Sequence, residues 1–183
     1  MLSQCFNDYC CGLGQNIPEY IYEAVLSCTC VGLVLFITLK PNRKGLEYLS
    51  KFLFIEYIFL LYCSTVIFRD YNSNQAHNFT PFWSYVEIHN GNYSVQLPEK
   101  VMNLVVFIPV GLLWGTAFQR IKWWQILVAG FLISLSIELL QFTFKRGFAE
   151  FDDVFHNTLG CLIGYGVYKS IRGLWKTNKG ATV

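Results

Sequence analysis

Ionisable and amide side chains set within apolar runs are the residues of this sequence best suited to chemistry. Glu138 stands in the run from Trp123 to Phe144, with Ser134 four residues before it, Gln141 three after and Lys145 seven after. At 3.6 residues per turn, that spacing puts all four on one helical stripe. In the following run Asp153, Asn157, Gly160 and Gly164 recur at intervals of four, three and four, again on one face, with polar groups at one end and glycines below. Asn103 opens the run from Val101 to Phe118, and Arg146 and Asp152 stand in the turn between the last two runs. An Asp or a basic residue at mid-membrane costs roughly 2.5–3.5 kcal/mol on insertion scales, so such positions invite a functional role.

The residue types allow two kinds of role. Glu138 and Asp153 are candidate catalytic carboxyls, because paired carboxyls whose environments separate their pKa values can act as general acid and base. Asn103, Gln141, Arg146, Asp152 and Asn157 are candidate substrate-binding residues, with the guanidinium of Arg146 suited to bidentate contact with phosphate or carboxylate. The alternative is an ion-pair and amide network that joins helices, for example Arg146 with Glu138 or with Asp153. Asp152 and Asp153 are adjacent and point about 100° apart on a helix, which argues against a simple dyad. With His156 they offer ligand types for a divalent cation, but their spacing is not specific and no metal is expected. No triad order, P-loop or dinucleotide fingerprint occurs, so no cofactor is expected.

These residues must be positioned by membrane helices. Of 183 residues, 54% are hydrophobic and 14% charged, and the apolar ones form runs close to the roughly 20 residues that cross a bilayer. The expected fold is all-α, a polytopic bundle of about five spans near 21–39, 52–68, 101–118, 123–144 and 154–171. Residues 1–20 form an N-terminal extracytoplasmic segment ahead of a transmembrane domain at 21–183. Segment 1–20 has no basic residue before the first apolar stretch and so lacks the n-region of a cleavable signal peptide. Gly111 with Gly115, and Gly160 with Gly164, have the small-residue spacing that permits close helix approach, within one chain or between two. Pro109 removes an amide donor and is expected to kink the third span and to open a cavity there.

Ten of the fourteen basic residues fall on one side of this arrangement and four on the other, which predicts an outside N-terminus and a cytoplasmic C-terminus. The longest loop, Arg69 to Lys100, is then extracytoplasmic. Its stretch Phe79 to Tyr85 holds Phe82, Trp83 and Tyr85, which suit either an aromatic belt at headgroup level or a platform for an amphiphile. Net charge of +2, divided among short loops, excludes nucleic-acid binding through a basic surface. The seven cysteines are an odd set without a second cysteine-rich loop. Pairing of Cys10 or Cys11 with Cys5 or with another chain stays open, and the intramembrane ones are expected to pack as small apolar groups.

The segments Asn103-Leu-Val-Val-Phe-Ile-Pro109-Val-Gly111, Ser136-Ile-Glu138-Leu-Leu-Gln141, Arg146, and Asp152-Asp153-Val-Phe-His-Asn157-Thr158-Leu-Gly160-Cys-Leu-Ile-Gly164-Tyr165 together resemble the VanZ-like family. Asn78-Phe79-Thr80-Pro81-Phe82 is similar to the family's Asn-x-x-Pro-Phe segment. The resemblance runs from about the second span through the fifth and implies a small, multi-pass protein of the bacterial cell membrane. The family's namesake is linked to low-level resistance to the glycopeptide teicoplanin. Motif positions carried over are Asn103, Pro109, Glu138, Gln141, Arg146, Asp153 and Asn157, whereas His156 looks particular to this chain.

The leading expectation is a protein that binds or modifies an amphiphile at the outer leaflet, an envelope lipid or a lipid-bearing glycopeptide. Arg146, Gln141 and Asn157 would meet its headgroup, with an acyl chain beside Pro109. The alternatives are a membrane enzyme acting on an envelope lipid, with Glu138 or Asp153 as base and Arg146 stabilising charge, or a transporter with Glu138 in its path.

Overall fold

Long apolar runs separated by short polar turns fold here into helices that pass back and forth beside one another. The computed structural model describes residues 43–69, 71, 77–118 and 120–180. The expected first span and the cysteines at 5, 10, 11, 28 and 30 lie outside the described residues. Helix α1, Arg43–Tyr62, continues into a π-helical turn, Cys63–Ile67, closed by the Phe68 N–H on the Cys63 carbonyl at 2.9 Å. A two-residue strand β1, His77–Asn78, and a short helix α2, Trp83–Glu87, follow. A wide turn around Gly91, at φ 103°, leads into α3, Tyr93–Ala117. Helix α4 is Trp123–Phe144, strand β2 is Ala149–Glu150 and helix α5 is Phe151–Gly180. Strands β1 and β2 pair in parallel, His77 with Ala149 and Asn78 with Glu150.

The direction of each helix follows from its contacts. Along α3 and α5, Gly160 meets the Leu104 carbonyl, Gly164 the Ile108 carbonyl and Gly115 the Tyr168 ring, an order that rises on both helices and makes them parallel. Helix α4 runs against α5, with Gly130 at Cys161 and Ser134 at Asn157. Helix α1 runs with α4, through Tyr62 to Ser136 and the Thr65 carbonyl to Gln141, and against α3. A methyl group at Gly111, Gly160 or Gly164 would stand 1.9–2.2 Å from a carbonyl oxygen of the facing helix. These small residues therefore serve approach within one chain.

Three of the described helices are long and apolar enough to cross a membrane, at Lys44–Ile67, Leu97–Ala117 and Trp123–Phe144. They correspond to the second, third and fourth expected spans. The expected fifth is not among them, because α5 carries Asp152, Asp153, His156 and Asn157 on its buried side. Its outward stripe is apolar nonetheless: Phe151, Phe155, Leu159, Ile163, Val167 and Ile171 are all exposed at intervals of four. Polar groups inside and apolar groups outside reverse the pattern of a soluble helix and suit a lipid surround.

One expectation about α3 needs correction. The helix begins eight residues before the expected boundary at 101 and takes in Lys100, whose charge is met by carboxylates inside the bundle and so does not end the helix. The helical range runs through both Pro98 and Pro109. Near Pro109, the Tyr57 hydroxyl of α1 donates to the Val106 carbonyl at 2.7 Å and ties α1 to α3.

Candidate functional site

The residues singled out for chemistry converge at one end of the bundle, around a cation that hydropathy had assigned to a loop. Lys100, 3% exposed, lies between two carboxylates, with its Nζ donating to Glu150 Oε2 and, at 2.7 Å, to Asp153 Oδ1. Glu138 joins this group through backbone, since its Oε2 accepts the Glu150 N–H at 3.0 Å. The β2 strand, paired with β1, places that N–H over the end of α4. Burial, reinforced by the negative charge of Asp153, pushes the Glu150 carboxyl up to about 7 against the pull of Lys100. Arg69 lies with its guanidinium over Gly147 and within electrostatic reach of Glu138 and Glu99. Among the described residues, four carboxyls (Glu99, Glu138, Glu150 and Asp153) thus share two cations, Lys100 and Arg69.

One turn deeper lie two amides. Asn103 follows Lys100 by three residues on α3 and Asn157 follows Asp153 by four on α5, so the Lys100–Asp153 pair brings both to the same level. The Asn157 Nδ2 donates to Ser134 Oγ of α4 at 2.8 Å. Its Oδ1, and the Nδ2 of Asn103, are buried without a hydrogen-bond partner. An unmet acceptor and an unmet donor at one level are costly in a low-dielectric interior, on the order of 1–3 kcal/mol each.

Asp152 and Asp153 do point apart, and they do different work. Asp153 turns to Lys100, whereas Asp152, fully buried, accepts the Phe82 N–H at 2.5 Å, the Ser84 N–H at 3.0 Å and the Ser84 hydroxyl. It thereby holds Phe82 at φ 60°, a left-handed conformation that a non-glycine residue adopts at a cost. His156 serves the same junction: its Nδ1 meets the Asp152 carbonyl at 2.6 Å, and its Nε2 the Tyr85 hydroxyl at 2.9 Å. Of the expected interface aromatics, Phe82 and Tyr85 are exposed, and Trp83 packs against Phe148 with its Nε1 buried and unpartnered. Among the described residues, no cluster of ligand types suits a metal ion. Asp152→Ala strands three donors and is expected to cost about 1–3 kcal/mol. Hydrogen exchange should rise across residues 79–90 of the variant while α3 and α4 stay protected.

Two pairings offered by the alternative, helix-joining network are not formed. Arg146 meets neither Glu138 nor Asp153; its NH1 donates to the carbonyls of Val66 at 3.4 Å, Ile67 and Arg69 at 3.0 Å, at the end of the π turn. Gln141 likewise donates to the Thr65 carbonyl at 3.0 Å. A π turn releases carbonyls from the regular ladder, and these two side chains of the α4 end collect them. Lys145, expected on the same stripe, instead caps α4 in a left-handed conformation. The described cleft lies at the opposite end of the bundle from the polar cluster.

The VanZ/LLP1 family model matches residues 54–173, a stretch that includes every residue of this cluster. The chain belongs to the VanZ/LLP1 family. It is 33% identical over 91 residues to Protein VanZ of Enterococcus faecium, a match that covers 50% of this chain and 51% of that protein. The chain thus spans about half the length of the VanZ relative it matches. No solved structure matches it. Family membership and three apolar helices together make this a multi-pass membrane protein of the VanZ type. Lys100 and Glu150, central to this cluster, were missed by sequence reasoning. A signal was present: Lys100 stands three residues before Asn103, and Glu150 three before Asp153.

Proposed function

We propose that this VanZ-type protein binds the polar head of an amphiphile, an envelope lipid or a lipid-bearing glycopeptide, at the outer-leaflet end of its bundle. The observation that carries the reading is the unmet buried donor of Asn103 and the unmet buried acceptor of Asn157, both one turn below the Lys100–Asp153 pair. A ligand hydroxyl is the smallest group that satisfies both, accepting from one and donating to the other. The excess of carboxyls over cations argues further for hydroxyl or amine groups and against a phosphate. Arg146, first expected to meet an anionic headgroup, is engaged with backbone carbonyls instead. Glu138 and Asp153 are then acceptors for ligand protons, and Phe82, Trp83 and Tyr85 lie beside the acyl region. A role in teicoplanin resistance would follow from the same chemistry, since a lipoglycopeptide presents both sugar hydroxyls and an acyl chain.

Native mass spectrometry with lipid identification tests this on protein purified from membranes. Wild type should retain a hydroxyl-rich lipid that Asn157→Leu and Glu138→Gln lose at least tenfold, with thermal stability of the variants confirming the fold. Equal retention by all three would leave the two amides as a helix-joining or hydrated pair and end the assignment. A second reading, catalysis on the same lipid, is favoured by the Glu150 carboxyl at about 7, where one group can both take and give a proton. Turnover of the retained lipid by wild type but not by Glu150→Gln would select it.

A further inference from the structure

The opposite end of the bundle holds a second polar feature with the reverse charge. An open cleft of about 710 Å³ lies between the α3–α4 turn and residues 165–173 of α5. Arg120 and Lys122 line it from the turn, Lys169 and Arg172 from α5, and no acidic residue is among its described lining. The Tyr165 hydroxyl donates to the Ile121 carbonyl at 2.7 Å and ties the two walls together. Lys169 lies over the Tyr165 ring at 5.2 Å, and Arg172 bonds the Tyr168 hydroxyl at 2.7 Å while stacking on its ring. Arg120, Lys122 and Lys169 form no ion pair with any described residue. The N-terminus of α4, a 22-residue helix, opens into the same cleft and adds the positive end of its dipole.

The surroundings identify the occupant as a lipid. Trp123 and Trp124, 63% and 49% exposed, border the cleft at the end of an apolar helix, the place of indole rings at headgroup depth. From Trp124 the exposed side chains Leu127, Val128 and Phe131 continue along one face of α4, at spacings of three, four and seven. We infer that this cleft binds the phosphate of an anionic phospholipid, with Arg120, Lys122, Lys169 and Arg172 around the phosphate and an acyl chain along Trp124, Leu127, Val128 and Phe131. The excess of basic residues at this end assigns the lipid to the cytoplasmic leaflet. This site is independent of the hydroxyl-binding end, and the two assignments stand or fall separately.

The test uses the full chain in detergent, titrated with dioleoylphosphatidylglycerol, with dioleoylphosphatidylcholine and with inorganic phosphate, read by native mass spectrometry. Phosphatidylglycerol should bind in preference to phosphatidylcholine, and the combined change Arg120→Gln, Lys122→Gln and Lys169→Gln should weaken it on the order of 100-fold. Equal binding of the two lipids, or an unaltered affinity in the triple variant, would overturn the proposal. Displacement of phosphatidylglycerol by equimolar inorganic phosphate would overturn the lipid assignment in favour of a soluble anion. Should the triple variant fail to fold, Lys169→Gln alone, at an exposed position, carries the same test with an expected loss of about fivefold.

Discussion

Lys100→Met is expected to cost about 3–5 kcal/mol of stability, because it removes the cation from between two buried carboxylates and leaves their charge uncompensated. Glu150 and Lys100 are each 3% exposed and Asp153 8%, so water does not take over the role of the ammonium. The loss should depend on pH. Glu150 already holds its proton up to about 7, and without Lys100 the influence that opposes this upward shift is gone. In the unfolded chain the same carboxyl ionises at its ordinary value, about 4.3. Between those values the folded state binds more protons, so stability is present below the unfolded value and is lost as pH rises through the folded one. Thermal unfolding in detergent should therefore show a smaller deficit at pH 5 than at pH 8. Combining Lys100→Met with Glu150→Gln and Asp153→Asn should recover part of the deficit at pH 8. A deficit independent of pH, with no recovery, would mean that the packing of the lysine stem matters and its charge does not.

Gly164→Ala should be nearly as damaging, although it adds a single methyl group. The new carbon would stand 1.9 Å from the Ile108 carbonyl oxygen, 2.9 Å from its carbon and 3.0 Å from the Leu112 nitrogen, all of them backbone atoms that cannot rotate aside. Helices α3 and α5 must separate to admit it, which disturbs the Lys100–Asp153 pair and the core contacts of Phe107, Cys161 and Tyr165. Overpacking typically costs about 1–3 kcal/mol, and a collision with rigid backbone lies at the upper end or beyond. The same helix supplies a control. Gly166 is exposed, with nothing within 4 Å of the position an added methyl would take. Gly166→Ala should leave the melting temperature unchanged or raise it, since alanine is favoured over glycine in a helix by about 1 kcal/mol. Equal effects at the two positions would remove the close-approach argument.

Local periodicity made much of this legible. The hydropathy of residues 52–68, 101–118 and 123–144 marked three helices to within a few residues at most ends, and the stripe of Ser134, Glu138 and Gln141 is buried as its spacing required. The face with Asp153, Asn157, Gly160 and Gly164 does carry the approach of α3, and the adjacent aspartates do diverge. All of these depend on the 3.6-residue repeat, which a single segment contains in full. Hydropathy was less informative for α5, where a polar buried side lowers the average of an otherwise apolar outward face.

What the sequence determined by itself is therefore the set of helices, the face each one buries and the end at which polar residues collect. Tertiary structure alone decided the partners. Lys100 is separated by 50 residues from Glu150 and by 53 from Asp153, and Arg146 by 77 to 80 from the carbonyls it binds. Such pairings depend on how far one helix slides and rotates against the next, which is set by the fit of glycines to carbonyls across the bundle. Sequence spacing fixes rotation about a helix's own axis but contains no register between helices. For that reason the charge that hydropathy placed in a loop became the centre of the site, and the arginine that chemistry placed in the site became a cap on a π turn.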